Sequence, residues 1–146
     1  MPVINRSALL PYPATTIYGI VNDVARYPDF LPWCAEAQVL QATDTEVVAQ
    51  LALQTRGISE RFTTRNLLVP HERIELQLVS GPFRNFNGVW TFRRLGQDEG
   101  CKVELQLDFE FSGARGLVSG AFAGVFVKAA DRMVDAFCER ARTLLE

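Results

Sequence analysis

Few residues in this chain have the type and spacing for covalent or acid–base chemistry. His71 is the only histidine, set in Pro70-His71-Glu72 between two strand-like runs. In such a turn it reads as a solvated side chain rather than a general base. No serine sits in a nucleophile-elbow pattern, and no glycine-rich run builds a phosphate loop. No His/Cys cluster has the spacing of a metal site. Cys34, Cys101 and Cys138 are odd in number and far apart. That pattern implies neither a disulfide framework nor a zinc knuckle, and it fits a reducing cytoplasm. Cys34 reads as a small buried filler. The chemistry to expect is non-catalytic binding.

Two surfaces offer themselves for binding. The first is cationic. Between Arg56 and Arg94 there are seven arginines against three glutamates, although the whole chain carries only −2. Arg56, Arg61 and Arg65 are the candidates to face phosphate, in RNA or in lipid headgroups. A solvated sheet face accounts for the same residues without any partner. The overall charge gives no bulk attraction to nucleic acid, and DNA is not expected as a partner.

The second surface is apolar. Val103, Leu105, Leu107, Phe109 and Phe111 alternate with Lys102, Glu104, Gln106, Asp108 and Glu110, giving a strand with one oily and one wet face. Ile74, Leu76 and Leu78 repeat the pattern. Trp90 and Phe92 extend the same wall, although Val89 competes for the inward parity of that strand. Phe122, Phe126 and Met133 would form a lid. The candidate ligand-binding set is Trp90, Phe92, Leu76, Leu105, Leu107, Phe109, Phe122, Phe126 and Met133, and ordinary core packing explains each of them too. Arg61, Arg65, Tyr27 and Asn87 are the candidate hydrogen-bond donors to a polar head.

These residues need a scaffold. Val3 to Leu10 reads as a strand closed by Pro11 and Pro13. A short helix follows from Ala14 to Val24, with Thr15 and Thr16 placed to cap it. The prolines in Tyr27-Pro-Asp-Phe-Leu-Pro-Trp-Cys34 hold a compact turn whose aromatics plug one end of the core. Six further strand-like runs follow: about 35–42, 46–56, 59–69, 73–80, 87–94 and 101–111. Short turn-like breaks separate them, which argues an antiparallel meander. The stretch from Ala114 to Leu145 reads as one long helix. Phe126, Ala129, Met133, Phe137, Ala141 and Leu144 lie on one side of it, and Lys128, Asp131, Asp135, Glu139, Arg142 and Glu146 on the other. Upstream, from Leu117 to Val127, only Ser119 is polar. Small residues there (Ala121, Ala123, Gly124, Ala129, Ala130) favour a hollow over solid packing, and membrane contact of this segment stays open.

With 146 residues, 48% of them hydrophobic and 22% charged, the chain suits a single soluble domain over 1–146. Its start lacks the apolar run of a signal peptide. Its longest apolar run falls short of the roughly 20 residues needed to span a bilayer.

Three stretches, taken in order ahead of an oily C-terminal helix, resemble a known family: Tyr27-Pro-Asp-Phe-Leu-Pro-Trp-Cys34, then Ser80-Gly-Pro-Phe83 with Asn87-Gly-Val-Trp-Thr-Phe92, then Gly100-Cys-Lys-Val103 leading into Asp108-Phe-Glu-Phe111. They are similar to the coenzyme-Q-binding branch of the START-like, polyketide-cyclase-type (SRPBCC) superfamily. The resemblance covers nearly the whole chain. It implies an α+β helix-grip fold: a curved antiparallel sheet of about six or seven strands wrapped around a long C-terminal helix, with short helices after the first strand. It also implies one of two functions. The first choice is non-catalytic binding of ubiquinone or a related isoprenoid lipid in support of respiration, with no cofactor required. The other is a toxin's binding to a ribosomal subunit, which blocks subunit association and so translation. A small-molecule cyclase or hydrolase is a third, and it would need a titratable pocket that the sequence does not show. The expected location is cytoplasmic, with peripheral contact at the inner membrane as an option. The resemblance names neither the ligand nor the oligomeric state.

Overall fold

Strands with one oily face pair into a sheet that needs cover on that side only. The computed structural model, which describes residues 3–55, 58–111 and 120–145, shows one such sheet. Its strands are β1 (Val3–Leu10), β2 (Cys34–Ala42), β3 (Glu46–Thr55), β4 (Ile58–Val69), β5 (Arg73–Ser80), β6 (Phe83–Leu95) and β7 (Gly100–Phe111). The order is β1-β7-β6-β5-β4-β3-β2, every pair antiparallel. The last six strands form the expected meander, and β1 joins at the β7 edge. Register shifts at Cys34/Glu36, Val39/Gln41, Thr63/Thr64 and Phe83/Asn85 bend the strands. The sheet curves around the C-terminal helices, which is the helix-grip fold.

β6 begins four residues before the expected start. Phe83 already pairs with Phe111, because the turn is complete at Gly81-Pro82. After β1 come helix α1 (Ala14–Asn22) and a 3₁₀ turn (Val24–Asp29) that contains Pro28. The expected threonine caps of α1 are absent. Pro13 occupies the N-cap with no side-chain bond, and Asp98 of the β6–β7 turn accepts the Ala14 N–H at 3.2 Å. A carboxylate there also suits the positive end of the helix.

The C-terminal helix comes as two segments, α2 (Gly120–Asp131) and α3 (Met133–Leu145). The hydrogen bonds Arg132 N to Lys128 O and Ala136 N to Arg132 O carry the chain across the break. At the break Arg6 of β1 donates to Asp131 Oδ1 from Nε at 2.9 Å and Nη2 at 2.6 Å, tying the helix to a sheet edge. Phe126, Ala130, Val134, Phe137 and Ala141 are buried on the sheet side, whereas Leu144 is exposed. The expected helical start at Ala114–Ser119 lies outside the described residues. Among the described residues no helix is long and apolar enough to cross a membrane.

Two predictions follow from this packing. A Cβ on Gly81, where φ is +153°, would stand 2.6 Å from Phe62 Cβ and 3.3 Å from its Cα. Gly81→Ala should therefore cost about 1–3 kcal/mol. A thermal melt should show it as a drop of several degrees, and an unchanged midpoint would contradict the close approach. The second concerns thiols. Burial pushes Cys34 and Cys101 up to about 11 and raises Cys138 too. Burial also raises the Tyr27 phenol. Above roughly pH 9 unfolded thiols ionise while the folded ones hold their protons. Stability should be full below that pH and fall as pH rises toward 11. Urea midpoints that stay flat or rise across this window would refute the assignment.

Candidate functional site

Between the sheet and the helix lies a cavity of about 80 Å³. Two helix rings bound it. Phe126 of α2 packs into a cluster with Phe109 (centroids 4.9 Å apart), Phe83 (5.0 Å), Phe111 (5.8 Å), Phe62 (6.2 Å) and Phe86 (6.4 Å). Phe137 of α3 packs edge-on against Trp90 and Tyr27 at 5.3 Å and Phe30 at 5.2 Å. Between these rings the helix offers Ala129, Ala130 and Met133, and the space over them is the cavity.

Six of the expected ligand residues line it: Leu76, Trp90, Leu105, Leu107, Phe126 and Met133. From Phe86 to Phe92 the even positions of β6 face inward, so Trp90 rather than Val89 reaches the cavity. Phe92 is inward too, but it packs against Tyr18 at 5.5 Å and stays outside the lining. Phe109 is wholly buried in the phenylalanine cluster and is no wall of the cavity. The side chain of Phe122 lies outside the described residues. The hollow is smaller than the small helix residues suggest, because six phenylalanine rings fill the space beside α2.

The polar equipment differs from the expectation. Arg61 Nη2 pairs with Glu36 Oε2 at 2.6 Å, and Arg65 Nε with Glu46 Oε1 at 3.6 Å, both on the outer face of the sheet. Asn87 is exposed and donates to Asn85 Oδ1. Tyr27 lines the cavity, but its hydroxyl donates to the Val21 carbonyl. The polar groups inside are Thr64 and Asn66, both buried. Thr64 Oγ1 donates to Asn66 Oδ1 at 2.9 Å. That bond leaves the Asn66 amide nitrogen without a protein acceptor among the described residues. β4 carried the signal for them: Arg61 and Arg65 mark the wet parity, so Thr64 and Asn66 share the inward parity of Phe62 and Leu68.

No histidine, lysine, arginine or carboxylate lines the cavity among the described residues. His71 is exposed in its turn, at φ 68°, with its ring 5.4 Å from Tyr18. Cys34 is buried, and its thiol donates to the Glu36 carbonyl at 3.4 Å. Trp33 and Ala129 also line an outside groove of about 590 Å³ with Leu31, Pro32, Lys128 and Arg132. One indole and one methyl group thus separate the groove from the cavity.

The expected cationic surface is largely neutralised. Arg84 and Arg94 meet Glu110 and Asp98 at 4.0 Å, in addition to the pairs of Arg61 and Arg65. Arg56 lies outside the described residues.

Residues 10–138 match the family model described as polyketide cyclase/dehydrase and lipid transport. The ribosome association toxin RatA of Pseudomonas aeruginosa is 49% identical over 141 residues, covering 97% of this chain and 96% of that one. The mitochondrial coenzyme Q-binding protein COQ10 homolog B of Xenopus laevis is 27% identical over 94% of this chain and 57% of its own length. Among solved structures, the Zhui aromatase/cyclase of Streptomyces sp. R1128 superposes with a TM-score of 0.83 at 20% identity, covering 99% and 96% of the two chains, a likeness of fold alone. A sheet gripping a helix over an apolar hollow, with a family model matched across most of the chain, places this protein in the polyketide cyclase/dehydrase and lipid-transport (START-like) family.

Proposed function

We propose that this protein associates with a ribosomal subunit and hinders the joining of the two subunits, working in the cytoplasm without catalysis. The observation that carries this is the 49% identity to a ribosome association toxin over nearly the full length of both chains. The buried residues are too few to supply identity at that level, so the likeness reaches the surface. This reverses the order of the two functions drawn from the family resemblance, in which lipid binding stood first. Sedimentation of a cell extract through sucrose should carry the protein with a ribosomal subunit at low salt. Adding the purified protein should lower the fraction of subunits joined into whole ribosomes. Protein that stays at the top of the gradient at every salt concentration would sink the proposal.

A second reading rests on the cavity itself. An apolar hollow holding one unpaired amide suits an apolar molecule that carries a hydrogen-bond acceptor, such as a quinone carbonyl. Size limits the occupant. At about 80 Å³ the hollow is smaller than the roughly 150 Å³ of an apolar cavity that admits benzene. An isoprenoid quinone therefore needs the cavity to open, and the groove beyond Trp33 and Ala129 is the adjacent space. Trp33 and Trp90 report on binding through their fluorescence. A short-chain benzoquinone should quench it saturably. Asn66→Leu should weaken that binding about tenfold, the worth of one hydrogen bond in a dry site. Equal affinity in the variant, or no saturable quenching, would count against this reading.

A further inference from the structure

The arginines of the outer sheet face divide into two groups. Arg61, Arg65 and Arg84 each have a carboxylate within 4.0 Å. Arg73 and Arg93 have none among the described residues, nor does Lys102 of β7. The sheet register brings these three together. Arg93 stands directly opposite Lys102 across the β6–β7 pair. Arg73 stands opposite Thr91, which is two residues from Arg93 and on the same face. From Asn87 to Arg93 the odd positions of β6 point away from the helix, as do the even positions of β7, so the Arg93–Lys102 pair lies on the uncovered side. Arg93 and Arg73 are exposed. Glu104, one step along β7 and opposite Thr91, forms no ion pair with any of the three.

Like charges placed directly opposite each other in a sheet are destabilising. Elsewhere on this face, among the described residues, each arginine has an acid of a neighbouring strand beside it. Here the fold sets a lysine against an arginine. A polyanion relieves such a pair by neutralising both charges and releasing its own counterions. We infer that Arg93, Lys102 and Arg73 form the surface that takes up ribosomal RNA phosphates. The inference rests on the ribosome-association reading and supplies its contact residues. It moves the phosphate-facing site from Arg61 and Arg65 on β4 to the opposite end of the outer face.

The test uses Arg93→Glu and Lys102→Glu in the full chain, with Arg61→Gln as the control cation. Each reversal replaces a like-charge pair by an opposite-charge pair, so the thermal midpoint should hold or rise. Binding to purified ribosomal subunits should nonetheless fall about tenfold or more, and the salt dependence should flatten by about one phosphate contact per reversed charge. Arg61→Gln should bind within twofold of the unaltered protein. Subunit binding by Arg93→Glu equal to that of the unaltered protein would overturn this inference and leave the ribosome reading standing. If the unaltered protein itself binds no subunit at any salt, both fall. Charge-dependent binding to phosphatidylglycerol vesicles in place of subunits would overturn it in favour of a membrane surface.

Discussion

Two phenyl rings on one helix face hold this fold in its shape. Phe126 and Phe137 are eleven residues apart, about three helical turns, so they point to the same side over a span of roughly 16 Å. Each is seated in its own aromatic cluster, one on β4, β6 and β7 and the other on Trp90 and the Tyr27–Phe30 turn. Edge-to-face contacts of this kind add to what apolar burial already gives. With both ends fixed, the stretch between them bridges the concave sheet like a beam, and its alanines cannot settle inward to fill the gap. The cavity follows from large residues at two helix positions and small ones between.

Much of this was legible in the sequence, because period-two and period-3.6 patterns report directly on which face is buried. The alternation from Val103 to Phe111 gave β7 its inward and outward faces, and Ile74-Glu-Leu-Gln-Leu78 did the same for β5. The Pro-Asp-Phe-Leu-Pro turn took its place against Phe137 as an aromatic plug. Three features were not legible, each for its own reason. The cap on α1 comes from Asp98, 84 residues away, and a local pattern cannot show a cap from another loop. The arginine surplus was counted in a window of chain, but the acids that answer it, Glu36, Glu46, Asp98 and Glu110, lie outside that window on strands and turns that only pairing makes adjacent. The cavity volume depends on how six phenylalanine rings share one end of the core, and composition does not fix that.

The unpaired cations and the cavity sit on opposite sides of one sheet. Side chains alternate along β6, so Trp90 enters the cavity while Arg93 stands on the wet face three residues later. A substitution on the outer parity leaves the cavity lining in place, and one on the inner parity leaves the cations in place. The same strands can therefore serve a ribosome-binding surface and an apolar pocket with little conflict. Relatives named for ribosome association and for coenzyme Q binding can then share one architecture.

The way the cavity would enlarge is constrained by the same aromatic pillars. Among the described residues, lifting the helix requires pulling Phe126 out of at least five ring contacts and Phe137 out of three. Moving the side chains between them disturbs far less. Met133 is unbranched and has three rotatable bonds, and it lines the cavity half-buried. Trp33, also half-buried, packs against the core between cavity and groove, on a turn held by the backbone bonds Cys34 N to Leu31 O and Gln54 N to Trp33 O. Trp33 and Ala129 are the residues that line both the 80 Å³ hollow and the groove. The groove beside Trp33 carries Lys128 and Arg132 together with Asp135 and Glu139, whereas the end beside Phe126 is filled by phenylalanine rings.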